Sequence, residues 1–376
     1  MKYLFPIVSL LFLVSLLASC GGEQTDTAEL VAEPETVREL VFLDSIGVEL
    51  GDSNYVFGSI ESSSHSADGN ILILDRPACC TREYTPEGEF VRSFGRRGTG
   101  PGEFVNPLSM VRLSDGRIAM MDMQAGGIHT FLPDGEWEGI SAEINREPVL
   151  NMTAADSCRY IALLTTFDII DGQFIMNTKV GRFDIDKTEP SLIYWENSLP
   201  VNFDDFTLII EEGYLSRGWA SNYDGIVFIA SRDSEEYLVT GFDADGNEFV
   251  EISLDLPRVE KSEAEIQDEA AFYNQRARNM GYNARTNFEP DPFRWMVHSM
   301  GIDNQERLWV RRGTEEIPTF DIFDLDGNHL FTVNIPAISG YSGLLWEVKV
   351  DDYGILAWSL DPADGYQKLY TLELVE

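Results

Sequence analysis

The feature that most constrains this chain is a short pattern that recurs along it, a turn containing Asp and Gly followed by an apolar strand. The clearest copy, DGNILILD, runs from Asp68 to Asp75, and the next, DGRIAMMD, runs from Asp115 to Asp122. A hairpin sequence follows each copy, EYTPEGEF after the first and TFLPDGEW after the second. One strand-based unit used repeatedly indicates a solenoid or a propeller.

Looser copies of the turn begin at Asp156, Asp224, Asp303 and Asp352. The six starts are separated by 47, 41, 68, 79 and 49 residues. The three short intervals match one four-stranded propeller blade, and the two long intervals match a blade that carries an insertion. The spacing therefore predicts six blades.

The two ends of the chain predict how the ring closes. Residues 39–47 are typical of an outer strand without inner strands of its own, and the last unit, 352–376, has room for about three strands. A propeller commonly closes its ring by pairing strands from both termini. We therefore predict an all-β, six-bladed β-propeller over residues 38–376, with the N-terminal strand completing the last blade.

The first 37 residues are typical of a bacterial lipoprotein. Lys2 precedes an apolar run from Leu4 to Leu17, and the sequence LASC, which ends at Cys20, has the form of a lipobox. We predict a signal peptide over residues 1–19, lipidation of Cys20, and a flexible tether over residues 20–37. Lipidation would make the membrane a partner of the protein, because two or more acyl chains give stable anchoring.

The segment between the predicted blades four and five, residues 255–298, is the least strand-like part of the chain after the tether. The sequence SEAE at Ser262–Glu265 is a capping box, and the apolar residues that follow it lie on one helical face. We predict a helix from Glu263 to Met280. Two placements are open: a lid over the central channel, or packing on the edges of the blades.

The chain is strongly acidic, with a formal net charge of −37 from 27 Lys and Arg against 64 Asp and Glu. Such a surface repels nucleic acid at ordinary salt, so we expect no nucleic-acid partner. The acidic residues are spread over every unit, which favours a solvated surface over one dedicated acidic site.

The candidate ligand site lies where the apolar strand of each unit ends. We take this strand, which follows the Asp-Gly turn, as the innermost strand of its blade, so its end would face the mouth of the central channel. The charged residues at or near these ends are Asp75, Arg76, Asp122, Arg232, Arg311 and Arg312. The guanidinium groups would suit a polar or anionic ligand, and Asp75 with Asp122 could hold a divalent ion. The alternative is that both aspartates make hydrogen bonds between blades.

The metal signals do not form a complete motif. The four His residues and the Cys residues show no zinc-site spacing. Asp243–Asn247 and Asp324–Asn328 resemble fragments of a calcium loop, but a strand follows each directly, which is typical of hairpin turns. We therefore expect no cofactor, with calcium as the alternative.

Three cysteines remain once Cys20 is lipidated: Cys79, Cys80 and Cys158. In an oxidising compartment they allow a Cys79–Cys80 disulfide, a disulfide from either of these to Cys158, or free thiols. The spacing alone does not choose among the three.

The units from Asp68 to Trp137 resemble the NHL-type repeats of six-bladed β-propellers, and together with the lipobox the chain resembles propeller lipoproteins of Bacteroidetes-like bacteria. The resemblance implies that Asp75 and Asp122 are a structural aspartate of the repeat. It also implies an alternative activity, because some related propellers look like lactonases or lyases.

The sequence contains no nucleophile elbow, phosphate loop or dinucleotide fingerprint. We therefore expect a binding function rather than an enzyme. The expected protein is lipid-anchored in the cell envelope, at the outer membrane, and its propeller binds an envelope protein, a peptide or a glycan. The alternative is a metal-dependent hydrolase or lyase, lactonase-like, with its site in the central channel.

Overall fold

The structure, a computed structural model, describes residues 36–124, 126–143, 149–202, 207, 209–215, 217–279, 288–338, 345–362 and 364–375. The predicted signal peptide, Cys20, and all but the last two residues of the predicted tether lie outside the described residues. Within the described ranges the secondary structure is predominantly β. The all-β prediction is confirmed.

The chain enters the fold through β1 (Val37–Ile46) and then forms four separate sheets of four antiparallel strands. The first sheet consists of β2 (Ile60–His65), β3 (Ile71–Asp75), β4 (Cys80–Tyr84) and β5 (Phe90–Phe94). A two-stranded parallel ribbon follows, made of β6 (Arg96–Arg97) and β7 (Glu103–Phe104). The second sheet consists of β8 (Pro107–Arg112), β9 (Ile118–Asp122), β10 (Gly127–Phe131) and β11 (Trp137–Glu143). The third consists of β12 (Val149–Ala154), β13 (Arg159–Ile170), β14 (Gln173–Asp184) and β15 (Leu192–Pro200). The fourth consists of β16 (Arg217–Ser221), β17 (Val227–Ser231), β18 (Tyr237–Phe242) and β19 (Glu248–Leu254).

The remaining strands join β1 in one eight-stranded sheet. They are β20 (Val297–Ile302), β21 (Arg307–Arg312), β22 (Thr319–Asp324), β23 (His329–Asn334), β24 (Trp346–Val350), β25 (Ile355–Ser359) and β26 (Leu369–Val375). Their order is β20-β21-β22-β23-β1-β26-β25-β24. β1 is antiparallel to β26, so the predicted pairing of the N-terminal strand with the last unit is confirmed.

The sheets differ from the six separate blades that we predicted. The described strands form four separate four-stranded sheets and one eight-stranded sheet. The physical reason is β1, whose residues Val37–Glu39 also pair in parallel with Thr332–Asn334 of β23. Main-chain hydrogen bonds therefore join the strands of the last two predicted blades, which the spacing of turns does not reveal.

Helical segments within the described residues include a 3₁₀ turn at Ser53–Tyr55, a π-helix at Ile209–Tyr214, and α1 at Glu263–Asn279, between β19 and β20. The predicted capping box forms at the start of α1: the Ser262 N–H donates to Glu265 Oε2 at 2.8 Å, and the Glu265 N–H donates to Ser262 Oγ at 3.3 Å. The predicted last residue of the helix, Met280, lies outside the described residues.

The innermost strand of each unit precedes the Asp-Gly turn. These strands are β2, β8, β12, β16, β20 and β24, and all six line one central cavity. β2 contacts β8, β8 contacts β12, β12 contacts β16, β16 contacts β20, β20 contacts β24, and β2 contacts β25. The prediction that the strand after the turn is innermost is wrong by one strand. That strand has the strongest apolar run because sheets cover both of its faces, whereas the innermost strand borders the cavity.

Apolar packing between neighbouring sheets forms the core. Ile71 and Ile73 of β3 pack in the cluster shared with β25 and β26, and Leu72 and Leu74 pack in the cluster shared with the second sheet. A comparable cluster, which includes Leu40, lies between the two halves of the eight-stranded sheet. Burying each such side chain contributes about 1.5–3 kcal/mol, so the packing fixes the sheets around the axis.

We expect Leu40→Ala to lower the free energy of unfolding by about 2–5 kcal/mol, because Leu40 is 1% exposed and its truncation leaves a cavity in the cluster that β1 completes. The matched control is Leu43→Ala on the same strand, where Leu43 is 60% exposed and the expected change is within about 0.5 kcal/mol. Urea unfolding of both variants checks this. Equal losses would contradict the described role of β1.

Candidate functional site

The central cavity has a volume of about 600 Å³ and is lined by residues of all six innermost strands. This is a size typical of small-molecule sites. Polar side chains face it from several strands, among them Ser62, Asn151 and Ser221. The strand pairing shifts register in β2 at Glu61 and in β12 at Asn151. Such a β-bulge interrupts the regular alternation of side chains along the strand.

Both signs of charge line this cavity: among the described residues, seven carboxylates and four cations. The cations are Arg76, Arg112, Arg232 and Lys349. Two of them are paired: Arg76 contacts Glu61 at 3.5 Å and Asn106 at 3.0 Å, and Arg112 forms an ion pair with Asp352. The other two, Arg232 and Lys349, make no hydrogen bond or ion pair with the described residues.

Arg232 follows the end of β17 and is half-buried. Its Nε is buried and, among the described residues, the side chain makes no hydrogen bond or ion pair. Its guanidinium lies over the ring of Trp295, 5.8 Å from the centroid, and its Nε lies close to Gly218. Burial lowers the pKa of Arg232, and the nearby Glu347 carboxylate opposes this effect.

α1 contributes Phe272 and Tyr273 to the wall of the cavity, and Tyr273 lies close enough to Arg232 to affect its ionisation. Two buried ion pairs hold the N-terminal half of the helix: Glu265 contacts Arg294 at 2.6 Å, and Glu269 contacts Lys261 at 2.6 Å. The helix therefore adds aromatic surface beside the guanidinium.

Lys349 lies on β24 and faces the cavity. Among the described residues its ammonium makes no hydrogen bond and no ion pair within 4.0 Å. Burial lowers the pKa of Lys349, Asp351 acts in the opposite direction, and Arg112 adds to the lowering. Asp351 itself is held by His65, whose Nδ1 lies 2.8 Å from Asp351 Oδ1.

The aspartates predicted at the channel mouth hold the backbone together instead. Asp75 accepts hydrogen bonds from the Gly58 N–H at 3.1 Å and from the Arg82 guanidinium at 2.8 Å. Asp122 accepts from the N–H groups of Val105 at 2.8 Å and Asn106 at 2.9 Å. Both carboxylates end the second strand of a sheet and fix the loop that leads into an innermost strand.

These donors do not fit a divalent ion at Asp75 and Asp122, because N–H and guanidinium groups already occupy the oxygens that would ligate it. In the described part of the chain, no three His, Cys, Asp or Glu side chains come together as a metal site requires. Asp243 and Asp324, in the turns that resemble calcium loops, accept hydrogen bonds from backbone N–H groups of their own turns.

The structure separates the two neighbouring arginines of β21. Arg311 is 1% exposed and donates to the carbonyl oxygen of Trp346, and burial lowers its pKa to about 10. Arg312 points to the opposite face, where it forms two hydrogen bonds with Asp321 at 2.9 and 2.7 Å. Arg312 is therefore part of a buried ion pair between strands. Of the four predicted arginines, Arg76 and Arg232 line the cavity.

The three cysteines of the described region, Cys79, Cys80 and Cys158, are free thiols in the structure. Cys79 is buried, and its Sγ lies 3.5 Å from the carbonyl oxygen of Arg76. Burial raises the pKa of both Cys79 and Cys80, which favours the unreactive thiol over the thiolate.

The sequence prediction missed Arg112, Lys349 and Asn151, all of which face the cavity. They lie on innermost strands, which precede the Asp-Gly turns. The signal that could have found them is a polar residue within the short run just before each Asp-Gly turn, as in PLSMVR before the turn at Asp115.

The fold is a β-propeller-like arrangement, as comparison with solved structures also shows. A member of the DUF4221 family from Bacteroides vulgatus aligns with a TM-score of 0.51 at 9% identity, over 90% of this chain and 98% of that chain. Regucalcin, a calcium-binding protein from Agrobacterium tumefaciens, aligns with a TM-score of 0.44 at 10% identity, over 90% of this chain and 96% of that chain. The PQQ-bound aldose sugar dehydrogenase from Streptomyces coelicolor aligns with a TM-score of 0.45 at 10% identity, over 92% of this chain and 100% of that chain. At these identities the likeness concerns the fold alone.

No protein-family model matches the sequence, and neither does any curated protein. Among the described residues, no helix combines the length and the apolarity that crossing a membrane requires.

Glu211, in the π-helix beside α1, has a pKa raised to about 7, first by burial and further by the carboxylates of Asp291 and Glu269, while Lys261 opposes the rise. The folded protein therefore binds a proton there more tightly than the unfolded chain does. This contribution to stability is present at low pH and is lost as the pH rises from about 4.5 to about 7.

We expect Glu211→Gln to remove this loss, so that the variant gains stability relative to the parent as the pH rises through this window and keeps a constant advantage above it. Thermal unfolding from pH 4.5 to 8 measures the difference. Glu87→Gln, at an exposed turn residue, is the matched control. A difference that does not depend on pH would contradict the assignment.

Proposed function

We propose that this chain is a six-bladed propeller that binds an anionic small molecule in its central cavity, and that it does so as a lipid-anchored protein of the cell envelope. The observation that carries the proposal is Arg232, a half-buried guanidinium without a hydrogen bond or ion pair among the described residues, which lines a cavity of about 600 Å³.

The proposed blade count is supported by the packing inside the eight-stranded sheet. The cluster around Leu40 contains Ile322 from one half of this sheet and Val348 from the other, so the two halves pack face to face like neighbouring blades. The strands at the two edges of this sheet, β20 and β24, both border the cavity. Two four-stranded blades joined through β1 would account for both observations.

An anion is the ligand chemistry that Arg232 favours. A guanidinium removed from bulk water without a counter-charge is energetically costly, and a carboxylate, sulfate or phosphate would supply two hydrogen bonds and the missing charge. The Glu347 carboxylate acts on Arg232 and also on the buried Arg311, so its charge is shared between two guanidinium groups.

The surroundings of Arg232 add an apolar requirement. Phe272 and Tyr273 of α1 and Trp219 of β16 line the same cavity. Aromatic walls bury apolar ligand surface and lower the local dielectric, which strengthens a charge-assisted hydrogen bond. We propose that α1 is the lid of this site, and that the residues it contributes select a ligand with both an acidic group and a flat or apolar part.

The anchor proposed at Cys20 is compatible with an open site. In the last sheet, Glu347 pairs with Trp358, Trp358 with Leu369, and Leu369 with Ile46. The end of β1 therefore lies level with the Glu347 end of the cavity. The start of β1, at Val37, lies toward the other end. A tether that continues from there to a lipidated Cys20 would leave α1 facing away from the membrane. We also propose that the protein is located at the outer membrane, and that its partner is an envelope protein, a peptide or a glycan.

The geometry favours binding over the alternative of a metal-dependent hydrolase or lyase. That activity needs free carboxylate or imidazole ligands in the channel, and the two aspartates considered for it, Asp75 and Asp122, accept hydrogen bonds from backbone N–H groups. An unpaired guanidinium beside aromatic rings suits recognition of an anion without requiring any of these ligands.

We expect Arg232→Gln to weaken the binding of benzoate and hexanoate about tenfold to hundredfold, because a hydrogen bond to a charged group contributes about 1.5–3 kcal/mol. Isothermal titration of the parent and the variant measures this. Arg96→Gln is the matched control, since the side chain of Arg96 is 79% exposed on another part of the fold. The proposal is overturned if neither acid binds the parent protein, or if both bind the Arg232 variant as tightly.

A further inference from the structure

Besides the aromatic residues, the cavity is lined by polar side chains that make no hydrogen bond within the described part of the chain. Ser62 on β2, Asn151 on β12 and Lys349 on β24 face the cavity from three different sheets. Among the described residues, none of these three side chains makes a hydrogen bond to the protein. Together they offer a hydroxyl, an amide and an ammonium, which can both donate and accept.

Asn151 is held in an unusual position. Its φ is 53°, in the left-handed region, although it lies within a strand, and the register of β12 against β13 shifts between Leu150 and Thr153. Asn tolerates this conformation better than most residues, but the strand gives up regular pairing for it. The exposed amide consequently projects into the cavity instead of alternating with its neighbours.

The charges on the far side of the cavity are mixed rather than positive. Asp352 is paired with Arg112, Asp351 with His65, and Asp303 with Arg307. Lys349 stands among these groups. A second anionic group would meet nearby carboxylates there, whereas a hydroxyl can accept from the ammonium and donate to a carboxylate at the same time.

We propose that the ligand is a sugar acid, a polyhydroxylated molecule with a single carboxylate. The inference rests on the proposed function: Arg232 holds the carboxylate, and the hydroxyls bond to the wall formed by Ser62, Asn151 and Lys349. The aromatic residues of α1 pack on the apolar face of the sugar ring. The cavity volume of about 600 Å³ is sufficient for a small saccharide.

Three six-carbon probes separate the two requirements. Glucuronate has the acid and the hydroxyls, hexanoate has only the acid, and glucose has only the hydroxyls. By isothermal titration we expect glucuronate to bind the parent protein at least tenfold more tightly than either of the others. Equal or tighter binding of hexanoate would overturn the inference.

Asn151→Gly tests the wall, because Gly adopts the left-handed conformation without strain while removing the amide. We expect it to reduce the preference for glucuronate over hexanoate at least fivefold, and Lys349→Met to do the same. Arg96→Gln is the control and should keep the preference. An unchanged preference in both wall variants would overturn the inference, provided that their melting temperatures match that of the parent.

Arg232→Gln distinguishes failure of the inference from failure of the proposed function. If this variant loses affinity for both acids while the parent shows no preference for glucuronate, the anion site stands and the sugar-acid inference fails. If the variant binds both acids as tightly as the parent does, the anion site itself is wrong and the sugar-acid inference fails with it.

Discussion

Apolar packing of each sheet against two neighbours is the constraint on which the rest of the structure depends. The second strand of the first sheet shows it most simply: Ile71 and Ile73 pack toward one neighbour, and Leu72 and Leu74 toward the other. Because both faces are covered, successive side chains of this strand are apolar from Ile71 to Leu74. The sheets are then fixed around an axis, and their innermost strands border a space that apolar residues do not fill.

Two kinds of charged group occur in the fold, and they have different consequences. Asp75, Asp122 and Asp321 accept hydrogen bonds from fixed donors, so their charge is compensated within the fold. Arg232 and Lys349 have no such compensation among the described residues. A charge partly removed from water without a counter-charge lowers stability, and such a group is a candidate for the place where a ligand binds.

The sequence predicted the strands better than their places in the sheets. The turns at Asp68 and Asp115 and the apolar runs after them were sufficient to predict an all-β fold, and the capping box at Ser262 was sufficient to predict α1. The order of strands within a unit depends on which strand borders the cavity, and a polar strand such as the one ending in Arg112 gives little periodic signal. The position of Arg232 could be predicted because it follows an apolar strand. The polar run before an Asp-Gly turn could have placed Asn151 and Lys349 on cavity strands, but the bulge at Asn151 and the distant neighbours of Lys349 are visible only in the structure.

Diffraction from crystals soaked in bromide or selenate would show whether the cavity holds an anion, since anomalous scattering locates these anions without a choice of ligand. We expect an anion within hydrogen-bonding distance of the Arg232 guanidinium, inside the cavity and beneath α1. Anions found only on the outer surface, with Arg232 paired to Glu347 instead, would contradict this expectation.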